Sequence, residues 1–599
     1  MMRVAARQLV VAPLAWPLFL VAMFMASLVF AAITPPFQAP DEFDHVKRAY
    51  MLGQGQILLR SVDGAPSGGE VDSGLVRYME HFIPLKGVAS RKLSSDEMLN
   101  AGSIRWEETS LFQSPVGTAY YFPLMYAPQA IGLSLGKAAG MSVGKSYRLA
   151  RALELFTCFA LLILAFRLYR PSAAVLALLA LPMNLFLFGS AVLDPMATSV
   201  AFVGVAAFMR ISVDRGATPT WVFAALCASV LLVCACRANM LPLLLLPFAA
   251  WWFTRDRRYL VAAVAITVFV LAWTLFTVKT AVYPSVGRNV DHAARLFHLL
   301  SHPGELLSIL FATWTSSSRM SFYAVSFIGV LGWLDTPFQL SFYQFIWAMV
   351  VTILVVSFSL DGWRENRLAR GTLLVACLGS LLMTFLALLV QWTDPASTTV
   401  DGVQGRYLMI PAICLFYTLT GDSRPNAGIG FYVGHVLLAA LLGVGAYSTA
   451  GILVQRYHTS PTQVVGEVLT LKPSSPLTHN DKVTLHFTPA QEADPAPLRR
   501  LSIRFGTYMA THQGRAELRL WTQGGEKTSV PFDLSTLVDN DYREFVLDGK
   551  RYVGGEIVSL DGQGVSVWES HGDDNATSCV VMQERDGRST QLTPGCPEP

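Results

Sequence analysis

The chain reads as a polytopic α-helical membrane protein with a C-terminal all-β domain, and three observations lead there. Of its 599 residues, 53% are hydrophobic and only 15% charged, and the mean hydropathy is +0.43. The apolar residues gather into runs near the roughly 20 residues that a bilayer requires. After about residue 461 the texture changes to short alternating runs between Gly, Pro, Ser and Thr turns, the period-two signature of strands with one buried face. The net charge of +3 is small and dispersed, with no basic helix interleaved with aromatics, so a nucleic-acid partner is excluded as a reading.

Taken in order, Arg3 and Arg7 precede an apolar core from about Leu9 to Ile33. That core exceeds the roughly 7 to 15 residues of a secretory signal, which predicts an uncleaved first span. Further spans are expected near 147–167, 172–192, 195–213, 220–236, 239–254, 259–279, 341–360, 371–391, 406–420 and 429–454. Two more stretches, about 119–140 and 305–330, are apolar but broken by Pro, Gly, Ser and Arg. The expectation is therefore about 11 to 13 transmembrane helices. If neither broken stretch crosses, Arg3/Arg7, Arg167/Arg170, Arg210/Arg215, Arg255/Arg257/Arg258, Arg364/Arg367/Arg370 and Arg424 all face the cytoplasm, as the positive-inside rule demands.

The same parity places a large first loop, 34–118, together with Asp194, Arg237, 280–340 and 392–405 on the opposite, extracytoplasmic face. The division expected is a transmembrane domain over 1–455 and an extracytoplasmic β-sandwich, jelly-roll-like, over 461–599. Its strands are read at Lys482–Phe487, Leu501–Phe505 and Ala516–Trp521. Cys158, Cys227, Cys234, Cys236, Cys377 and Cys414 lie in apolar segments, where a thiol acts as a small hydrophobe. Cys579 and Cys596 lie in the β domain, and an oxidising compartment would let them form a disulfide; a reduced pair is the alternative.

The run from Pro35 to Arg48 places Asp41, Glu42, Asp44, His45 and Arg48 directly after the first span. Pro40 before two carboxylates suits a helix start. Capping does not call for His45 and Arg48, which at i+4 and i+7 share the face of Asp41. Asp194, before Pro195, either ends a helix or joins a polar site. Arg237, outside against the usual bias of arginine, either snorkels to headgroups or holds a phosphate through paired hydrogen bonds. Two further stretches fall at outer boundaries: Gly329–Pro337, with Trp333 and Asp335, and Asp401–Tyr407, with Gln404, Arg406 and Tyr407. Aromatic belts and turn glycines account for part of each.

These residues, with Tyr121–Gln129 leading to Arg148 and Arg151, resemble in order and spacing a membrane-protein family catalogued as domain of unknown function 2142. That family looks like a branch of the GT-C glycosyltransferase superfamily, and the resemblance covers about 10–455. It implies a GT-C-like fold in the bacterial cytoplasmic (inner) membrane. It also implies an inverting transfer of sugar from a polyprenyl-phosphate donor to a cell-envelope glycan or lipid acceptor. By that analogy Asp41, or Glu42 beside it, is the catalytic base. Arg237, Arg406 and Arg48 are candidates for the donor phosphate. His45, Asp44, Asp194, Trp333, Asp335, Gln404 and Tyr407 are candidates for substrate contacts. A divalent cation on Asp41, Glu42 or Asp44 stays open. The rival readings are a lipid-linked glycan polymerase or ligase, a transporter or flippase of a lipid-linked saccharide, and a non-catalytic assembly or sensor protein. The transporter reading calls for ionisable groups within spans.

Overall fold

A computed structural model describes residues 2–61, 66–88, 91–280, 292–395, 397–421, 429–458, 470–485, 495, 497–508, 510–571, 576–578, 580–583 and 589–591. The chain divides into two compact units. The first comprises Met1–Pro284, Met320–Ala387 and Gln404–Thr459; the second comprises Ser285–Arg319, Leu388–Val403 and Ser460–Pro599. Cys579 and Cys596 lie outside the described residues.

Seven helices among the described residues are long and apolar enough to cross a membrane: Ala15–Ile33, Val143–Leu168, Leu193–Ala217, Arg257–Thr277, Leu340–Ser357, Arg367–Gln391 and Ile429–Tyr457. Three shorter apolar ones, Thr220–Cys236, Ala238–Thr254 and Gly405–Leu419, accompany them. Within the first unit the helix beginning at Leu193 is the central post. It packs against Val143–Leu168 and Thr220–Cys236, and 89% of its apolar window is buried. Asp194 at its start therefore sits inside protein.

Two expected spans have a different form. The stretch 172–192 is two short buried helices, Ala173–Leu179 and Pro182–Phe188. The residue before a proline is pushed out of the helical region, and Leu181 accordingly stands at φ −64, ψ 138. Asn184 closes the break by donating to Leu178 O at 2.5 Å. The stretch 239–254 opens as a 3-10 turn, Ala238–Leu244, around Pro242 before becoming α-helical at Leu245. Proline supplies no N–H to an α-helical ladder.

The broken stretch at 119–140 is a 3-10 turn, Pro123–Tyr126, and a 12-residue helix, Ala127–Ala138. At 1.5 Å per residue that helix is about 18 Å long, short of the ~30 Å hydrocarbon core. The stretch at 305–330 is likewise split, into Pro303–Thr315 and Ser317–Ile328. The described residues of the first loop carry regular structure. It holds the acidic helix Glu42–Gly53, an antiparallel ribbon of Gly69–Asp72 with Ser110–Gln113, and helices Ser73–Glu80 and Ser95–Ser103. The last of these is closed by a reciprocal capping box between Ser94 and Glu97.

The second unit is β-rich, with a seven-stranded and a four-stranded sheet. The expected strands are present at Lys482–Leu485, Arg500–Gly506 and Arg515–Thr522. Along Arg515–Thr522, Ala516, Leu518 and Leu520 are buried and Glu517 and Arg519 less so, as alternation requires. These residues share one apolar cluster with Leu501, Ile503 and Phe505 of the larger sheet. A polar knot in the same unit joins three segments. Asp401, 1% exposed, accepts from Arg319 at 2.7 Å and from the Thr511 N–H at 2.9 Å.

Candidate functional site

The turn that leads into the acidic helix sets the site. Phe37 and Asp41 both have left-handed backbones, φ 63 and 64, so the chain reverses tightly between the first span and the helix. Asp41 is the residue preceding that helix, and its side chain makes no capping bond to it. The carboxylate is instead turned outward, 46% exposed, with Oδ2 accepting from Arg406 at 2.6 Å.

Arg406 reaches that point from the start of the Gly405–Leu419 helix. The preceding Gly405 permits this, because a Cβ there would stand 2.0 Å from Phe327 N; Gly405 N–H donates to Ser326 Oγ at 2.9 Å. The guanidinium is 3% exposed and fully engaged. Its Nε donates to Gln404 Oε1 at 2.7 Å, while its terminal nitrogens reach Asp41, the Tyr407 hydroxyl at 3.4 Å and Asp194 Oδ2 at 3.4 Å. Asp194 in turn accepts from Arg237 at 2.6 Å through its other oxygen. Two carboxylates and two guanidiniums thus alternate, Asp41–Arg406–Asp194–Arg237, in one line. Arg237 spends only one of its nitrogens on this line, and its buried Nε has no partner among the described residues.

Glu42 does something else. It is 0% exposed, and its Oε1 accepts from Tyr147 OH at 2.6 Å and Ala191 N–H at 2.7 Å. Its Oε2 accepts from Ala39 N–H at 3.2 Å, and Arg151 lies 3.4 Å away. The carboxylate ties the entering turn to the helix at Val143–Leu168 and to the turn before Leu193. Further into the same interior, Gln129 donates to Glu154.

His45 comes to the line's edge: Nδ1 is 2.8 Å from Tyr126 OH and the ring stacks on Tyr121. Burial holds it neutral, with its pKa lowered to about 4 although Asp41 and Asp194 pull the other way. Asp44 pairs with Lys47 at 3.2 Å, and burial raises its pKa against that pairing. Arg48 is not brought to the line. It is 1% exposed, with its terminal nitrogens spent on Gln56 O at 3.1 Å and Ile57 O at 2.7 Å, clamping the turn after the helix. Asp335 is also engaged elsewhere. It caps its own turn through the Trp333 N–H and Thr336 Oγ1, and accepts from Arg456 at 2.8 Å. Trp333 stands between these groups, donating to Phe37 O at 3.0 Å, with Lys86 Nζ 3.8 Å from its ring centre.

Lys86, Tyr126, Tyr147 and Glu154 carry roles that sequence reasoning missed. The spacing from Tyr121 to Arg151 was a signal for the tyrosines. For Lys86 there was none, since it lies within an unremarkable loop. Among the described residues no group of three or more His, Cys, Asp or Glu side chains is placed to hold a metal ion.

Helices long and apolar enough to cross a membrane, together with a charged line bearing one exposed carboxylate, mark a membrane protein with a candidate polar site. The profile of the family described as predicted membrane protein (DUF2142) matches residues 24–415, and the chain belongs to that family. No curated protein matches it. Among solved structures, the arabinosyltransferase EmbB from Mycobacterium smegmatis aligns over 88% of this chain and 64% of its own length, with 11% identity and a TM-score of 0.24. A superposition at that score adds nothing to the argument for fold or chemistry.

Proposed function

We propose that the protein is a GT-C-type inverting glycosyltransferase of the bacterial cytoplasmic membrane. It would move a sugar from a polyprenyl-phosphate donor to a cell-envelope glycan or lipid acceptor on the extracytoplasmic face. The observation that carries the reading is the exposed Asp41 carboxylate, tied at one oxygen to a buried arginine line that ends in unspent donors on Arg237. Asp41 Oδ1 has no partner among the described residues and can take the proton of the acceptor hydroxyl. As the acceptor's oxygen bonds to the anomeric carbon, the bond from that carbon to the phosphate oxygen breaks and the electron pair stays on phosphate. Arg237 supplies free N–H groups to that growing charge, and Arg406 adds fixed positive charge.

In this reading Asp194 holds both arginines in place, which makes it a positioning residue. Gln404, Tyr407, Trp333 and the neutral His45 are available to sugar hydroxyls and ring faces. Glu42, enclosed on every side, is left with the fold, and Asp41 alone remains as base. The two sheets with their shared cluster support a jelly-roll-like sandwich for the C-terminal domain.

The test incubates membranes containing wild-type or Asp41→Asn protein with labelled polyprenyl-phosphate sugars and extracted envelope glycan. Transfer by the wild type alone is expected. Absence of transfer from every donor counts against the enzyme, and equal transfer by the variant removes Asp41 as base. Chain growth in the product would move the reading to a polymerase or ligase. One observation favours transport of a lipid-linked saccharide instead: Arg151 and Glu154 are buried within the apolar helix Val143–Leu168. Intramembrane ionisable groups mark translocation paths in many transporters, and protein-dependent passage of such a lipid across vesicle membranes without transfer would select that alternative.

A further inference from the structure

Lys86, an exposed residue of the first unit, carries a charge that no side chain around it answers. An ammonium brings three N–H donors, and those of Lys86 have no hydrogen-bond or ion-pair partner among the described residues. Its contact is with the Trp333 ring, whose centre lies 3.8 Å from Nζ. A ring face attracts a cation without accepting its N–H groups in ordinary hydrogen bonds. Desolvation lowers the pKa of Lys86, against the pull of Asp44 and then of Asp41, and Lys47 is the third charged group that acts on it. All three lie on the acidic helix or in the turn before it. The charges around Lys86 otherwise cancel. Asp44 is paired with Lys47 at 3.2 Å and Asp41 with Arg406 at 2.6 Å, and the line from Asp41 to Arg237 holds two carboxylates and two guanidiniums. Among these groups Lys86 is the surplus, a positive charge at the end of the line where the carboxylate is exposed.

The place of this ammonium is fixed from several sides. Trp333 Nε1 donates to Phe37 O at 3.0 Å, which ties the ring to the left-handed turn that aims Asp41. Arg456 holds both partners of the contact. It donates to the carbonyl of Leu85, the residue before Lys86, and to Asp335 Oδ2, each at 2.8 Å, and Asp335 accepts from the Trp333 N–H at 3.1 Å. The Lys86 N–H closes the Ile83–Leu85 turn on Ile83 O at 2.9 Å. Lys86 and the exposed Asp41 carboxylate are thus anchored to one turn, while Arg237 stands at the other end of the line.

We infer that Lys86, seated on Trp333, is an anion-binding residue of the acceptor subsite, and that the acceptor is an acidic saccharide with a carboxylate or a phosphodiester near the attacked hydroxyl. The inference rests on the transferase reading for the fate of that saccharide, not for its binding. Carboxylates alone would repel an approaching anion, and a surplus ammonium beside them reverses the sign of that interaction. The donor phosphate keeps the Arg237 end, so the two anionic substrates meet separate cations and the base lies between them.

The test uses the full chain in nanodiscs and labelled, extracted envelope glycan in three forms: untreated, with its carboxylates reduced to alcohols, and with its phosphodiesters removed by hydrogen fluoride. The untreated form is expected to be retained, and one treated form to bind at least about tenfold more weakly, which names the anion. Lys86→Gln is expected to weaken binding of the untreated form by a similar factor with an unchanged unfolding temperature, and Lys86→Arg, which keeps the charge, to recover most of it. In the transfer assay Lys86→Gln should raise KM for the glycan and leave KM for the polyprenyl-phosphate sugar as it was. Absence of retention, equal retention of all three forms, full retention by Lys86→Gln, or a rise in the donor's KM in place of the glycan's would each overturn the inference. Retention that depends on the anion and on Lys86, without transfer from any donor, would uphold the saccharide site and reject the enzyme. Transfer indifferent to both treatments and to Lys86→Gln would do the reverse.

Discussion

Asp41 and Glu42 are neighbours in the chain and belong to two different electrostatic regions. The Glu42 carboxylate itself is closed: fully buried, it meets a hydroxyl, two main-chain N–H groups and one guanidinium, all from the protein. Around Asp41 the line is exposed at its carboxylate end and finishes, inside the protein, at an arginine whose buried Nε has no partner among the described residues. Burying charge is costly unless partners compensate it. A carboxylate whose oxygens are all taken by the protein is therefore a device for holding shape. One that is exposed and keeps an oxygen free is ready for a ligand.

That contrast can be broken at either end. The largest effect is expected for Asp41→Asn, which should lower transfer by about 10²- to 10⁴-fold, the contribution of a positioned base, with thermal unfolding in detergent unchanged. A parallel fall in stability would show that Asp41 belongs to the shape-holding set. Glu42→Ala should do the opposite, costing about 3–5 kcal/mol because it strands buried partners, read as a lowered unfolding temperature and poor yield. Wild-type stability in that variant would end the comparison. Arg237→Ala is expected to reduce kcat by about 10²- to 10³-fold with less change in stability. A change confined to KM would make it a binding group for ground state and transition state alike.

The smallest effect concerns pH. His45 titrates near 6.5 in an unfolded chain and at about 4 in the folded one. Between those values the unfolded chain binds a proton that the folded chain refuses, so stability is full above about 6.5 and falls as pH drops toward 4. His45→Gln, which can keep a bond to Tyr126, should flatten that slope in unfolding measured from pH 7 to 4. An unchanged slope would place the acid sensitivity in other groups.

Much of this was legible from residue order because long apolar runs and period-two alternation are one-dimensional signals. The charged line was legible as a set, since Asp41, Asp194, Arg237 and Arg406 all stood out against hydrocarbon. What sequence could not separate was Asp41 from Glu42: both are acidic, adjacent and near a helix start, and their difference is the direction each side chain takes from a left-handed turn. Arg48 lies apart from the line for a related reason. Helical periodicity places it on the face of Asp41, but the carbonyls of Gln56 and Ile57, brought back by the turn, claim its guanidinium. The kinked helices at 172–192 hide in an apolar run in which Pro182 and Asn184 are short marks.

The left-handed backbone at Asp41 has an evolutionary consequence. Aside from glycine, that conformation is visited routinely only by asparagine and aspartate, and other side chains strain it by roughly 1–2 kcal/mol. The residues most easily exchanged for Asp41, asparagine and glycine, are each one nucleotide away and keep the turn while removing the carboxylate. With Asp41 as the base proposed above, gene duplicates in this family would have a short, fold-preserving path to silence. Asparagine or glycine at this position is expected to mark copies retained for binding rather than for chemistry.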